Sequence, residues 1–326
     1  MVTFSASVLG VVAAYKRPGH LRDLLRSITD AGAVSKVIVV DNGLDAETET
    51  VCRESPVPVL YHRPECNLGC GGGIGRGLQL GSRESGVTHF CLFDDDAQAT
   101  PGSVASLVQG MREASADIAV PLIVNTEGHV SWFPGLIQRP QWEVIRQPGL
   151  TPAEYRRVCG LAPTPFTWSP WPVMALSAQV VRECGFPRHD FYLCSEDLEY
   201  SLRLTWQHKG VLVPAAVCLH APPPSSGGDE CGGPHYLRAC LMLQNNSFLF
   251  TWLPHGRRSL RHLPGNYARF LRLFGLNRAT LGDAFLAWWL GAVRGKPAGT
   301  PGYDRFKRRF LTRLGVPLEQ DQPSCQ

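Results

Sequence analysis

Three adjacent aspartates, Asp94, Asp95 and Asp96, directly follow the apolar run 90–93 in the stretch HFCLFDDDA. Such a run is typical of a strand buried on both faces. Because side chains alternate along a strand, Asp94 and Asp96 are predicted to point together and Asp95 the opposite way. Clustered carboxylates at the end of a buried strand repel one another and resist desolvation, so they need a cation. A divalent ion such as Mg²⁺ or Mn²⁺, bound with a polyphosphate, is the candidate; a solvated acidic turn is the alternative.

A second group of reactive side chains lies between residues 191 and 220. Ser195 is predicted to cap a helix that begins with Glu196 and Asp197 and runs to about residue 208. An apolar run then ends at His220. The acids could serve only the helix dipole, and the histidine could be an ordinary rim residue. Together with the aspartates, however, one histidine and two acids complete a set of groups suited to metal and phosphate.

The glycine-rich stretch 67–77, NLGCGGGIGRG, precedes a predicted helical segment at 78–83. Dense glycine permits a tight turn and close approach of the backbone to a phosphate, so this stretch is predicted to be a phosphate-binding loop. It matches neither the dinucleotide-binding pattern G-x-G-x-x-G/A nor the P-loop pattern, which argues against a Rossmann dehydrogenase and a P-loop ATPase. A merely flexible loop is the alternative.

The first sixty residues alternate strand-like and helical patterns, which predicts a parallel sheet with crossover helices. In such sheets, ligands bind beyond the carboxyl ends of the strands. Tyr15 and Arg17 follow the first strand, Asp41 ends the second, and the three aspartates end a later one. We therefore expect these side chains to lie at one edge of the sheet.

Composition limits the class of protein. The chain has 326 residues and eleven cysteines without a CxxC pair, so neither zinc nor a disulfide framework is predicted and a reducing cytoplasm is favoured. No signal peptide and no membrane-spanning run are recognised. Residues 1–230 contain 18 Lys and Arg against 24 Asp and Glu, whereas residues 231–326 contain 14 against 4. The acidic body and basic tail predict two different surfaces.

The basic tail is predicted to be mainly helical, with helices at 235–252, 258–274, 281–293 and 304–314. We therefore predict a catalytic domain over 1–224 and a basic helical region over 225–326, in which 225–234 is a linker or lid. Basic amphipathic helices favour docking on an anionic membrane surface; no nucleic-acid motif is present. A solvated basic face and a homo-oligomer interface are the alternatives. The expected location is cytoplasmic, peripheral at the inner face of the cell membrane. The cationic residues of the tail include Arg257, Arg258, Arg261, Arg269, Arg272, Lys307, Arg308 and Arg309.

The NxGxxGG stretch, the strand ending in DDDA and the acidic pair followed by a histidine, in this order along the chain, resemble family 2 glycosyltransferases with the GT-A fold. The resemblance spans about residues 7–220 and is nearest to the galactofuranosyl- and rhamnosyltransferase branches. It implies an α/β fold with a mainly parallel mixed sheet, a UDP- or dTDP-sugar donor, a divalent metal (Mn²⁺ or Mg²⁺) and inversion at the anomeric carbon. Cys70 and Ile74 depart from the family's glycine segment.

The resemblance also assigns roles. Asp94 and Asp96 match the DxD motif, His220 the later metal ligand, Asp197 the catalytic base with Glu196 as fallback, Asp41 the acid that meets the nucleobase and Arg17 a residue near the donor phosphates. The predicted metal ligands are Asp94, Asp96 and His220. The predicted donor-binding residues are Tyr15, Arg17, Asp41, Asn67, Gly71, Gly72, Arg76, Asp94 and Asp95.

The predicted function is therefore transfer of a hexose, galactofuranose or rhamnose, to a glycan or lipid-linked acceptor in polysaccharide or cell-wall biosynthesis. A non-catalytic nucleotide-sugar-binding assembly protein is one alternative. A sugar nucleotidylyltransferase is another, although a basic glycine-rich loop near the N-terminus would be expected and residues 13–18 do not form one.

Overall fold

The computed structural model describes residues 7–132, 134–138, 141–144, 149–220, 234–252, 263–289 and 291. These residues form two compact units. The first comprises 7–189 and 197–220, and the second comprises the short segment 190–196 and the residues from 234 onward. The predicted linker or lid, apart from its last residue, and the predicted helix 304–314 lie outside the described residues.

Strands and helices alternate through the first part of the chain, as the hydrophobic periodicity predicts. In chain order, the elements up to residue 220 are β1 (Val8–Ala14), α1 (Pro18–Ala31), β2 (Val34–Asp41), α2 (Ala46–Arg53), β3 (Val59–His62), α3 (Gly69–Gly81), β4 (His89–Asp94), β5 (Ala97–Ala99), α4 (Ser103–Ala114), β6 (Ile118–Val124), β7 (Val130–Trp132), β8 (Gly135–Gln138), β9 (Gln141–Val144), α5 (Pro152–Cys159), β10 (Thr164–Phe166), β11 (Val173–Ser177), α6 (Ala178–Cys184), α7 (Glu196–Leu204) and β12 (Gly210–His220).

The central sheet has the strand order β10-β12-β6-β11-β4-β1-β2-β3. The pairs β3–β2, β2–β1, β1–β4 and β6–β12 are parallel, whereas β11 and β10 run opposite to their neighbours. The short strand β5 pairs antiparallel with the end of β12. The predicted α/β fold with a mixed, mostly parallel sheet is therefore confirmed.

The sheet is covered on both faces. On one face, α1, α2 and α4 pack their apolar stripes on the strands, for example Leu21 and Leu24 of α1, which are fully buried. On the other face, α3, α6 and α7 contribute residues such as Leu78 and Tyr200. The apolar run of β4, residues 90–93, is at most 1% exposed, which confirms that this strand is buried on both faces.

One local prediction is wrong. The segment 69–77, predicted to be a loop, forms most of helix α3. Helix α4 begins at Ser103, directly after Gly102, whose left-handed backbone (φ 71°) is not helical.

The second unit contains three described helices, α8 (Pro234–Trp252), α9 (Leu263–Phe274) and α10 (Arg278–Trp288). Its core is a small cluster in which Tyr236 contacts the rings of Phe270 and Phe274, with centroids 5.4 and 5.1 Å apart. Asn277 caps α10 through a reciprocal hydrogen-bond pair with Thr280.

A candidate metal and nucleotide-sugar site

Strand pairing brings the DDD motif to His220. Strand β4 ends at Asp94, a turn contains Asp95 and Asp96, and β5 follows at once. Because β5 pairs antiparallel with β12 and Ala97 lies opposite His220, Asp96 is placed beside the imidazole. The His220 Nε2 lies 3.2 Å from Asp96 Oδ1 and 3.8 Å from Asp94 Oδ2.

These three side chains form a ligand set that could hold one cation. One ligand atom from each of Asp94, Asp96 and His220 lies within 4.8 Å of the other two. Two carboxylate oxygens and one imidazole nitrogen are donors that divalent metals use. The residues therefore fit the implied metal, and three protein ligands leave further coordination positions for phosphate oxygens.

Asp95 is not part of this ligand set and lies in the turn after β4. Its Oδ2 accepts a hydrogen bond from the backbone N–H of Tyr15 at 2.9 Å, and its carboxylate pairs with the guanidinium of Arg17. Arg17 also pairs with Asp96. The loop after β1 is thereby tied to the loop after β4, since the two strands are parallel neighbours with Ala13 opposite Asp94.

Burial and charge set the protonation of these acids in different directions. Burial raises the pKa of Asp95 to about 6, although Arg17 opposes this rise. Burial would also raise the pKa of Asp96, but the hydrogen bonds and positive charges of His220 and Arg17 outweigh it and lower the pKa to about 2. In turn, burial disfavours the charged form of His220, but Asp96 and Asp94 together raise its pKa.

Asp41, the predicted nucleobase contact, ends β2 and is fully buried. Its Oδ1 accepts from Gly43 N–H at 3.0 Å, and its Oδ2 accepts from Asp45 N–H at 2.9 Å and from the hydroxyl of Tyr61 at 2.8 Å. The carboxylate therefore shapes the loop after β2. A Cβ on Gly43 would lie 2.8 Å from the backbone nitrogen of Lys16, so this loop packs closely on the loop that carries Arg17.

Asn42 is a buried residue that the sequence analysis did not single out, although the DNG triplet after β2 was visible. Its Nδ2 donates to Gly69 O at 2.9 Å, and its Oδ1 accepts from Leu68 N–H at 3.2 Å. The start of α3 is therefore fastened to the end of β2. Asn67, predicted to bind the donor, has its Oδ1 2.8 Å from Gly69 N at the same junction.

The glycines of α3 serve helix packing in this structure. Gly71 and Gly72 are buried, and a Cβ on Gly73 would lie 2.6 Å from Asn42 Nδ2 and 2.8 Å from Ala13 Cβ. Two turns along the helix, Arg76 donates to His62 Nε2 at 3.1 Å and to Gln79 Oε1 at 2.7 Å. The phosphate-loop geometry expected for this segment is replaced by a helix held close to β1 and β2.

Asp197 is the second residue of α7, and its Oδ1 accepts from Leu198 N–H at 2.7 Å. Burial raises its pKa to about 6, against the effect of backbone hydrogen bonds. Ser195 does not have the extended backbone usual for an N-cap: its φ is 65°, and its hydroxyl donates to Asn246 Oδ1. Glu196 is buried.

The fold is that of a GT-A-type α/β protein. Residues 11–166, just under half of the chain, match the family model described as Glycosyl transferase family 2. This match supports the predicted class of enzyme, a glycosyltransferase. No curated protein sequence matches this chain.

Three solved structures illustrate the likeness in fold. GalNAc-T7, crystallised with UDP, GalNAc and Mn²⁺, is 14% identical with a TM-score of 0.52; the match covers 95% of this chain and 59% of that one. TarS 1–349 of S. aureus in complex with UDP is 13% identical with a TM-score of 0.54, covering 86% of this chain and 80% of that one. The mannosyltransferase PcManGT from Pyrobaculum calidifontis, with GDP-Man and Mn²⁺, is 13% identical with a TM-score of 0.52, covering 96% and 87%.

Proposed function

We propose that this protein is an inverting, metal-dependent transferase that moves a hexose from a nucleotide-sugar donor to a glycan or lipid-linked acceptor. The observation that carries the proposal is the convergence of Asp94, Asp96 and His220, with Arg17 alongside, at the carboxyl edge of the sheet. The ligands named for the structural neighbours, UDP or GDP-Man with Mn²⁺, support a donor of this class.

Asp94, Asp96 and His220 are proposed to hold a divalent ion, which when bound supplies positive charge to the leaving diphosphate. The mixed oxygen and nitrogen donors favour Mn²⁺ over Mg²⁺, since Mg²⁺ prefers oxygen ligands alone. Arg17 is held by two carboxylates yet remains 42% exposed, so it can offer a further N–H to a phosphate.

The remaining donor contacts are proposed at the same edge. Tyr15 is 42% exposed beside the DDD turn and is available to the donor. Asp41 would reach a nucleobase only with a change in the loop 42–45, because its carboxylate is buried and already accepts three hydrogen bonds. The remaining residues proposed to bind the nucleotide sugar are Asn67, Gly71, Gly72 and Arg76. The first three would bind it through the backbone at the start of α3.

Asp197 is proposed to be the general base. Inverting transfer requires a carboxylate that takes a proton from the acceptor hydroxyl as the oxygen attacks the anomeric carbon. A pKa of about 6 leaves Asp197 ionised at neutral pH yet more basic than an exposed aspartate. Glu196 is the alternative base.

The sugar is proposed to be galactofuranose or rhamnose, on UDP or dTDP, for polysaccharide or cell-wall synthesis, on the strength of the motif order described above. The catalytic domain is proposed to span residues 1–224 and the basic region 225–326.

We also propose that the second unit docks on an anionic membrane surface, at the cytoplasmic face. No helix among the described residues is long and apolar enough to cross a membrane. In the three described helices, Arg238, Arg269, Arg272 and Arg278 are exposed, whereas the one acid, Asp283, is buried and bonded to Tyr236. Exposed apolar side chains lie on the same helices: Leu273, Leu281, Phe285, Leu286, Trp288 and Trp289. Cationic and aromatic side chains together favour the lipid headgroup region.

The test is hydrolysis of nucleotide sugars in the presence and absence of Mn²⁺. The donors are UDP-galactofuranose, dTDP-rhamnose, UDP-GlcNAc, UDP-GalNAc and GDP-mannose. Metal-dependent release of the nucleotide from at least one donor is expected. Binding without turnover would favour the non-catalytic assembly protein, and release of pyrophosphate from a nucleoside triphosphate plus a sugar phosphate would favour the nucleotidylyltransferase.

The metal site is tested by calorimetry of UDP binding with Mn²⁺. Asp96→Ala and His220→Ala should each abolish the metal-supported part of the affinity, because each removes one of three protein ligands. Asp23→Ala, an exposed acid on α1, is the matched control and should leave it unchanged. Unaltered metal-dependent affinity in both site variants would show that the ion binds elsewhere.

A further inference from the structure

The segment directly before the proposed base has an unusual backbone. Tyr192, Cys194 and Ser195 have φ values of 47°, 67° and 65°, in the left-handed region that side chains with a Cβ rarely adopt. Three such residues within four positions cost conformational free energy, and they persist only where the surrounding structure holds them. Residue 197 follows two positions after Ser195.

The second unit contains the groups that hold this segment. Asn245 of α8 donates from Nδ2 to the backbone oxygens of Phe191 at 3.0 Å, Leu193 at 3.2 Å and Cys194 at 2.6 Å. The next residue, Asn246, accepts from the Ser195 hydroxyl at 2.9 Å. Two neighbouring side chains of α8, those of Asn245 and Asn246, therefore bond to four of the five residues from 191 to 195.

The geometry of this contact is fixed by packing. Asn245 is 4% exposed and Phe191 is 2% exposed. The ring of Phe191 meets Phe248, one turn further along α8, edge to face with centroids 5.6 Å apart. Because the Asn245 amide is buried, its loss removes one donor from each of these three backbone oxygens.

We infer that Asn245 is a positioning residue for catalysis, which holds residues 191–195 in their strained conformation and so fixes where α7, with Asp197, begins. The inference depends on the proposed function only in taking Asp197 as the base. Asn245 itself touches backbone, and no contact with substrate is assigned to it. A group misplaced by about 1 Å can cost up to a hundredfold in rate, so the hold on this segment matters for turnover.

A neighbouring residue supplies the matched control. Ser247 is also buried in α8, and its hydroxyl bonds to Leu243 O and Tyr267 Oη, both of which belong to the helices of the second unit. Ser247→Ala should therefore loosen the second unit by a comparable amount without releasing residues 191–195. Asn245→Leu keeps the approximate size and removes the donors, and Asn245→Ala is used if the leucine variant does not fold.

The first measurement is amide hydrogen exchange of residues 191–198 in the full chain. Asn245→Leu is expected to speed exchange there by at least about tenfold relative to both the parent and Ser247→Ala, because the segment opens locally. Equal protection in the three proteins would overturn the inference.

The second measurement is steady-state turnover on whichever donor of the panel is hydrolysed, with Asp197→Asn in the same series. Asn245→Leu should lower kcat about tenfold to a hundredfold and change the KM for donor less than about twofold, whereas Ser247→Ala changes neither. If Asp197→Asn abolishes turnover but Asn245→Leu behaves like Ser247→Ala, only the positioning role is wrong. If Asp197→Asn keeps full turnover, the proposed base is wrong, and the exchange data still decide whether Asn245 holds the segment.

Discussion

At the scale of single residues, the carboxylates of this protein differ in protonation because their surroundings differ. Asp96 accepts hydrogen bonds from two cationic groups and has a lowered pKa, whereas Asp197 is partly buried and desolvation raises its pKa. A carboxyl group that binds a cation must be ionised, and a general base works best when its pKa lies near the working pH. The two environments therefore suit the two proposed roles.

Asp197→Asn should lower turnover by about a hundredfold to ten-thousandfold, the usual contribution of a general base, while donor affinity persists. The amide keeps the shape of the side chain and removes the cost of burying a charge, so the melting temperature should not fall at pH 7.5. Glu196→Gln should cost less if Glu196 only stabilises the helix start. Turnover and calorimetric affinity are measured for both; collapse in Glu196→Gln alone would exchange the roles.

The same pKa predicts a pH profile. Below pH 6 Asp197 is mostly protonated and cannot accept a proton, so kcat should rise with pH and level off above about pH 7. The rise follows from the need for an ionised base, and its position follows from the raised pKa, because an ordinary aspartate would give the same rise near pH 4. If kcat falls only below pH 4.5, the assignment of Asp197 as the general base is contradicted. The kcat is measured at a saturating donor concentration at each pH, so that changes in donor affinity do not affect the profile.

At the scale of elements, α3 is a helix that its own sequence opposes. Seven of its thirteen residues are glycine, and each costs about 1 kcal/mol relative to alanine in a helix interior. The absence of side chains lets the helix approach β1 and β2 closely, so that a Cβ on Gly77 would overlap Cγ1 of the buried Val11. Packing on the sheet therefore compensates for weak intrinsic propensity.

Gly77→Ala should consequently destabilise the protein by about 1–3 kcal/mol, because Val11 is β-branched, buried and unable to move aside. Gly19 of α1 is the matched control, since a Cβ there meets nothing within 4 Å. Gly19→Ala should be neutral or stabilise by up to about 1 kcal/mol. Urea unfolding of the two variants measures the difference; equal midpoints would mean that α3 tolerates a wider separation from the sheet.

At the scale of the whole molecule, charge is divided between the two units. The chain to residue 230 is acidic in balance and the rest is strongly basic, and the described helices of the second unit expose arginine but no acid. Within the described residues, the predicted helices at 235–252, 258–274 and 281–293 correspond to α8, α9 and α10. Six of the eight predicted tail cations lie outside the described residues; Arg269 and Arg272 are exposed on α9.

Sedimentation with vesicles tests the proposed membrane surface. Binding to vesicles of phosphatidylglycerol and phosphatidylcholine is expected to exceed binding to phosphatidylcholine alone and to weaken with salt. Arg269→Glu with Arg272→Glu should weaken it about tenfold or more, since each arginine near such a surface contributes about 1 kcal/mol. Arg26→Glu with Arg83→Glu, exposed positions of the first unit, gives the same change in net charge and should matter less. If the parent protein is a dimer and the variant with Arg269→Glu and Arg272→Glu is a monomer, the two arginines lie in an oligomer interface instead.

The sequence by itself determined the alternating strands and helices, the buried strand β4 and the position of Asp94 at the carboxyl end of that strand. These features follow from local rules: apolar periodicity defines an element, and parallel strands bring their carboxyl ends to one edge.

Only the tertiary structure decided the rest, because it depends on contacts between residues distant in sequence. The 3.2 Å approach of His220 to Asp96 requires the pairing of β5 with β12, which are separated by more than a hundred residues. The helical state of residues 69–77 requires a sheet to pack against, since glycine propensity favours a loop. The backbone of residues 192–195 is held from α8, about fifty residues later, and no local pattern predicts a left-handed tyrosine, cysteine or serine.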